Sequence, residues 1–183
     1  PIDVDTTADD TVITSDVGFG QHYGNVSISD LNSPNKGHSL QVSFPESDVF
    51  FASDLTKQWF PDTTFKFTAK QFHFHAGHGA KTNYTLDNGS EDTTNGDHHN
   101  LEMHIVHTND DKNTTKDFLA SVTAILFDVN HTMTEPSFAD TFFEGLLGNN
   151  SKSQSFDDDF MAYVDMDHRY VFRGSLTTPP YSE

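Results

Sequence analysis

Cysteine is absent from this chain of 183 residues. No disulfide can therefore cross-link the fold, and any metal ion must be held by histidine or carboxylate ligands. Basic residues are also scarce, because ten Lys and Arg stand against 28 Asp and Glu and give a formal net charge of −18. This excess of negative charge argues against nucleic acids and anionic membranes as partners.

Long apolar runs are also absent. No segment approaches the roughly 18 consecutive apolar residues of a membrane-spanning helix, so we expect no membrane span. The longest mostly apolar stretch, Phe118 to Phe127, predicts a buried central strand. Asn-x-Ser/Thr sequons favour a secreted, extracellular glycoprotein. They occur at Asn25, Asn83, Asn88, Asn113, Asn130 and Asn149.

Histidine, in contrast, is concentrated in two short segments, QFHFH at residues 71–75 and LEMHIVH at residues 101–107. Side chains alternate between the two faces of a strand. His73 and His75 therefore share one face of the first segment. Two such strands lying side by side would bring His73, His75 and His104 together.

Three neutral imidazoles are a common protein shell for catalytic zinc, which keeps a fourth position for water. A single His-x-His motif is often a coincidence, but the second segment adds a histidine of matching parity. Other histidines are not expected to be ligands. His107 has the wrong parity, and the predicted loop contains His78, His98 and His99.

The rest of the sequence is typical of a mainly β (α+β) fold. Short β-like runs alternate with turns rich in Asn, Asp, Gly and Ser, and a stripe of phenylalanines predicts one helix near residues 137–147. The polar segment 77–100 predicts a loop. With no repeat or boundary visible, residues 1–183 are expected to form a single domain. The predicted strands are residues 39–44, 65–75, 100–107, 119–129 and 170–173.

Four motifs taken together resemble a known family. In chain order they are QFHFH, the SED segment from Ser90 to Asp92, LEMHIVH and GSLTTPP. Their order and spacing, with PIDVD at the start and KGHSLQV at residues 36–42, are similar to those of the α-class (eukaryotic-type) carbonic anhydrases. The resemblance implies a twisted, mostly antiparallel central sheet with a few short helices, here in incomplete form.

The resemblance also implies an activity and a cofactor. Members use Zn²⁺ for the reversible hydration of carbon dioxide to bicarbonate and a proton. Zinc-hydroxide attacks the carbon, and a histidine then shuttles the proton to buffer. Such sites take a small-molecule substrate, CO2 or bicarbonate, and are inhibited by anions and sulfonamides.

The same resemblance assigns ligands and their partners. Zinc would be held by His73, His75 and His104. Gln71 and Glu102 match a glutamine and a glutamate that hydrogen-bond the first and third ligands. These partners would orient the imidazole rings and fix their tautomers.

Further roles follow from the resemblance alone. Thr177 matches a threonine that accepts a hydrogen bond from zinc-hydroxide, and Glu91 matches the glutamate that holds that threonine. His38 matches the proton shuttle, for which the ordinary histidine pKa of about 6.5 is well suited. Substrate would contact one polar residue, Thr178, and an apolar wall formed by Val106, Val122 and Leu176.

Several positions depart from the family pattern. Ala76 stands in place of a tryptophan and removes a large packing group beside the site. Asp92 stands in place of a histidine and changes the hydrogen bonding around the preceding glutamate. Lys36 and Gln41 alter the surroundings of the shuttle, and Tyr181 replaces a cysteine found in many secreted members.

The ends differ most. Family members carry an aromatic-rich segment before the first motif and continue past TTPP into a tryptophan-bearing strand, whereas this chain stops at Glu183. The resemblance therefore implies truncation at both ends and, as a partner, the remaining fragment of the chain's own gene product. Standing alone, such a piece is expected to be marginally stable and weakly active.

Two other interpretations remain open. One is an acidic carbonic anhydrase-like binding or biomineral matrix module with little catalysis. The other is a cupin, which would require a glutamate about four residues after the second histidine, where this sequence has glycine. Retention of all three zinc histidines favours the enzyme.

Overall fold

The computed structural model describes residues 2–7, 22–27, 31–32, 41–45, 50–52, 66–76, 89–109, 120–148, 153–166, 169–172 and 174–176. The strands are β1 (Asp3–Val4), β2 (Asn25–Val26), β3 (Leu31–Asn32), β4 (Gln41–Ser43), β5 (Phe50–Ala52), β6 (Lys66–Ala76), β7 (Thr93–Thr94), β8 (Asp97–His98), β9 (Leu101–Asn109), β10 (Ala120–Phe127) and β11 (Gln154–Ser155). The helices are α1 (Phe138–Leu147), α2 (Phe156–Asp159) and a short 3₁₀ helix, Met161–Tyr163.

The main sheet is antiparallel throughout. Its strand order is β10-β9-β6-β4-β3, and β5 also pairs with β6. The β6–β9 pair is interrupted by one register shift between Ala69 and Gln71. This arrangement confirms the prediction of a mainly β fold with an antiparallel sheet and few helices.

The three longest strands and the helix lie close to their predicted ranges, but other predictions were wrong. Residues 170–172 form no strand. The segment predicted as a loop contains a hairpin, β7–β8, in its described part. Its turn is Asn95-Gly96, and both residues have positive φ angles, 54° and 84°. This Asn-Gly pair is a strong hairpin signal that the loop interpretation overlooked.

Strand β10 also differs from the expectation of a fully buried central strand. Among the described strands it lies at the end of the sheet order. Val122 keeps 43% of its surface exposed. The apolar run of the sequence does not distinguish an end strand from a central one, because neighbouring strands decide which faces are covered.

The hydrophobic core covers one face of the sheet. Helix α1 begins with a capping box, in which Ser137 and Asp140 satisfy each other's backbone N–H groups. The helix buries one apolar stripe against α2 and the sheet. The core contains Tyr23, Val26, Val42, Phe72, Met103, Ile105, Phe142, Leu146, Phe156 and Phe160. Side chains of opposite parity on β6 and β9 therefore point away from this core.

No helix among the described residues is long and apolar enough to cross a membrane.

Candidate metal centre

Three histidines converge on the face of the sheet opposite the core. In the β6–β9 ladder His73 lies directly across from His104, and His75 is two residues further along β6 on the same face. The ring centroids of His73, His75 and His104 are 4.4–5.4 Å apart. One ligand nitrogen from each ring lies within 4.8 Å of the other two. Strand pairing thus produces the juxtaposition that alternation predicted.

Each ring is held by a hydrogen bond on one of its nitrogens. The Nδ1 atom of His73 is 2.9 Å from Oε1 of Gln71. Since a carbonyl oxygen only accepts, this Nδ1 carries the proton and leaves Nε2 as a lone-pair donor to metal. In His104 the arrangement is reversed, because Nε2 donates to Oε1 of Glu102 at 2.6 Å and leaves Nδ1.

The third ring is held by a carboxylate. Nδ1 of His75 is 3.1 Å from Oε1 of Glu91. Its other nitrogen, Nε2, is buried and has no hydrogen-bond partner among the described residues. A buried lone pair without a donor is costly unless a cation uses it. Three convergent imidazole nitrogens and no thiolate are a ligand set that suits zinc.

Burial keeps the imidazoles of His73 and His75 neutral. It lowers the pKa of His73 to about 4, with further lowering from the neighbouring His75 and His104. The pKa of His75 is also lowered, first by burial and then by His104. Because a metal ion binds neutral imidazole, both rings are ready to act as ligands at neutral pH.

Glu102 is the fully buried charge of the centre, with 0% of its surface exposed. Burial alone would raise its pKa. The hydrogen bonds from His104 and from the backbone N–H of Asp92 outweigh that effect and hold the pKa below its ordinary value. The ionised carboxylate makes the His104 ring a stronger electron donor towards a metal.

The structure describes some of the other predicted site residues, and the rest lie outside the described part of the chain. Val106 is half-buried and lies across from Val122 in the β9–β10 ladder, on the face that carries His104. Leu176 is half-buried. Glu91 contacts His75. His38, Thr177 and Thr178 lie outside the described residues, as does His78.

Contacts around the segment 89–100 were not found from the sequence. His98 donates from Nδ1 to the carbonyl of Ser90 at 2.6 Å. His99 lies 2.8 Å from Asp128 and 2.9 Å from Thr94. The sequence contains no signal for these pairings, because they depend on how segments apart in the chain fold back on one another.

His107 faces the core, as its parity predicted. It has 0% exposed surface, and its Nδ1–H donates to the carbonyl of Ser121 at 3.1 Å. Its Nε2 therefore accepts from the hydroxyl of Tyr23, 3.0 Å away. Burial lowers the pKa of His107 to about 4.

We expect His107 to make folding stability depend on pH. The pKa of an unfolded histidine is about 6.5, so the unfolded chain binds more protons between pH 6.5 and 4. The stabilising contribution is complete above that range and is lost as the pH falls. Between pH 7 and pH 5, the His107→Gln variant should lose about 2 kcal/mol less free energy of unfolding than the unaltered chain. Urea unfolding of the zinc-free chain at both pH values measures this, and equal losses in both proteins would contradict it.

Comparison with known proteins identifies the family. A sequence profile of the eukaryotic-type carbonic anhydrases matches residues 1–183. Carbonic anhydrase 6 of Homo sapiens is 31% identical over 160 residues, which cover 81% of this chain and 47% of that protein. The chain therefore belongs to the eukaryotic-type carbonic anhydrase family, and it spans about half the length of this relative.

Solved structures agree on the fold. The alpha-carbonic anhydrase of Photobacterium profundum has a TM-score of 0.60 at 22% identity, covering 100% of this chain and 68% of that chain. The alpha-carbonic anhydrase of Thermovibrio ammonificans, solved with the inhibitor sulfanilamide, has a TM-score of 0.53 at 22% identity. It covers 100% of this chain and 66% of that chain.

Proposed function

We propose that this chain binds Zn²⁺ through His73, His75 and His104 and catalyses the reversible hydration of carbon dioxide to bicarbonate and a proton. The observation that carries the proposal is the convergence of three imidazole nitrogens, each on a ring whose other nitrogen is held by a polar partner. Membership of the carbonic anhydrase family supports the same reaction.

When bound, zinc supplies a Lewis acid that makes water acidic enough to act as a nucleophile near neutral pH. The protein residues supply orientation. Gln71, Glu91 and Glu102 hold the three rings so that their lone pairs converge. Because these partners fix the tautomers in advance, the rings need little reorganisation when the metal enters.

Carbon dioxide is nearly apolar, so an apolar wall beside the metal suits it. Val106 and Val122 lie on the histidine face and are our candidates for that wall, together with Leu176. We assign the proton shuttle to His38, and the orientation of the attacking group to Thr177 with help from Glu91. These last roles, and that of Thr178 on the polar side, rest on the family motifs.

Inhibitors and location follow from the same proposal. We propose that anions and sulfonamides bind at the metal. In support, the alpha-carbonic anhydrase of Thermovibrio ammonificans was solved in complex with the inhibitor sulfanilamide. We also propose that the protein is secreted, with the six sequons as support. Its net charge of −18 supports a second candidate function, an acidic binding or mineral-associated module.

Stopped-flow measurement of carbon dioxide hydration tests the function. The zinc-loaded chain, with activity expressed per mole of bound zinc, should accelerate hydration, lose the acceleration with a chelator and regain it with added zinc. His131→Ala is a matched control, because this histidine is exposed and does not belong to the cluster of three ligands. Full zinc occupancy without hydration would refute the enzyme and favour the acidic binding module.

A further inference from the structure

Asp92 connects the metal centre to the N-terminal strand. Its Oδ1 accepts a hydrogen bond from the backbone N–H of Ile2 at 2.6 Å. Its own backbone N–H donates to Oε2 of Glu102 at 2.9 Å. Because Glu102 binds His104 through its other oxygen, a continuous chain of hydrogen bonds runs from Ile2 to a candidate zinc ligand.

Strand β1 is attached to the segment that follows Asp92. It pairs in parallel with β7. The N–H of Thr93 donates to the carbonyl of Ile2 at 2.9 Å, and that of Asn95 donates to the carbonyl of Val4 at 2.9 Å. The hydrogen bond to the Asp92 side chain lies at the end of this ladder nearest the metal centre. It therefore fixes the residue whose backbone contacts Glu102.

The two oxygens of Glu102 have separate tasks. One accepts from His104 and the other from the backbone of Asp92. A carboxylate held at both oxygens cannot rotate. The backbone N–H of Glu91 also donates to Glu102, and Glu91 directly precedes Asp92, so fastening Asp92 positions both backbone donors. Since Glu102 is completely buried, no water is available to replace a lost backbone donor.

We propose that Asp92 is a positioning residue, which fastens its own backbone to Ile2 and so holds Glu102 in the orientation that aims His104 at zinc. The proposal rests on the zinc site proposed above, but it does not depend on the reaction catalysed there. A short carboxylate suits this task, because it reaches a backbone N–H directly, in a position where family members have histidine.

Four variants of the 183-residue chain distinguish a positioning role of Asp92 from an effect on folding stability alone. Asp92→Ala removes the acceptor, and Asp92→Asn keeps an oxygen in its place. Ile2→Pro removes the donor from the other side of the same hydrogen bond, and Ile2→Ala keeps it as a matched control. For each, zinc affinity is measured by competition with a chelator, and the visible absorption of the Co²⁺-loaded chain reports ligand geometry.

Asp92→Ala and Ile2→Pro should each weaken zinc binding by about 10-fold and alter the Co²⁺ spectrum. Asp92→Asn and Ile2→Ala should resemble the unaltered chain. The double variant Asp92→Ala/Ile2→Pro should bind zinc about as well as either single variant, because both changes remove the same hydrogen bond.

Unchanged zinc affinity and an unchanged Co²⁺ spectrum in Asp92→Ala, with only a lower melting temperature, would overturn the proposal. If Asp92→Ala does not fold, the comparison of Ile2→Pro with Ile2→Ala decides the question. An unaltered chain that binds zinc but does not hydrate carbon dioxide would refute the proposed function and leave this inference intact. Failure of the unaltered chain to bind zinc would refute both.

Discussion

Replacing His104 with alanine should abolish tight zinc binding and carbon dioxide hydration together. Loss of a hydrogen-bond partner of a zinc ligand already costs about 10- to 100-fold in affinity, and loss of a ligand should cost more than about 100-fold. Zinc content after dialysis and stopped-flow hydration measure the two effects. Zinc retained at one equivalent per chain would contradict the proposed ligand set.

A companion variant, His73→Ala, distinguishes the ligand role from a folding role. Both variants remove a proposed ligand, but only His104→Ala leaves the buried carboxylate of Glu102 without its imidazole partner. Uncompensated buried charge is strongly destabilising. The zinc-free chain should therefore lose more free energy of unfolding with His104→Ala than with His73→Ala. The control His131→Ala should change neither zinc content nor stability.

Replacing Phe156 with alanine should lower the free energy of unfolding by about 3–5 kcal/mol, because it empties the middle of the aromatic core. Phe156 has 0% exposed surface. Its ring centroid lies 5.1–5.6 Å from those of five neighbours. These neighbours are Tyr23, Phe44, Phe72, Phe142 and Phe160.

Urea unfolding of the zinc-free chain, followed by circular dichroism, measures this loss. Tyr170→Ala is the matched control, since Tyr170 is 58% exposed and should cost no more than about 0.5 kcal/mol. Similar small losses in both variants would show that the aromatic cluster contributes little. If Phe156→Ala is too unstable to study, Phe156→Leu should give a smaller loss of the same sign.

Local patterns predicted the elements of the site well. The QFHFH and LEMHIVH segments identify β6 and β9 and put His73, His75 and His104 on defined faces, because side-chain alternation is a property of a single strand. The phenylalanine stripe likewise predicted α1. The Asn95-Gly96 turn was equally readable, but the polarity of the surrounding residues obscured it.

Other features depend on residues far apart in the chain. The position of β10 at the end of the described order, the pairing of Ile2 with Asp92 and the contact of Glu91 with His75 have no local signature. Each depends on which strands become neighbours. Even the unexpected exposure of Val122 follows from this, since an apolar side chain is covered only if another element packs on its face.

The sequence by itself determined the family and the absence of thiolate ligands. It also determined the alternation that places three histidines on the face opposite the core residues. Tertiary structure decided which nitrogen of each ring is available to a metal. That choice depends on the partner of the opposite nitrogen, a glutamine for His73, a carboxylate for His75 and the buried Glu102 for His104. Gln71 and Glu102 lie two residues from their histidines on the same strand, whereas Glu91 reaches His75 from a separate segment. All three contacts require the burial and side-chain placement that only the assembled sheet provides.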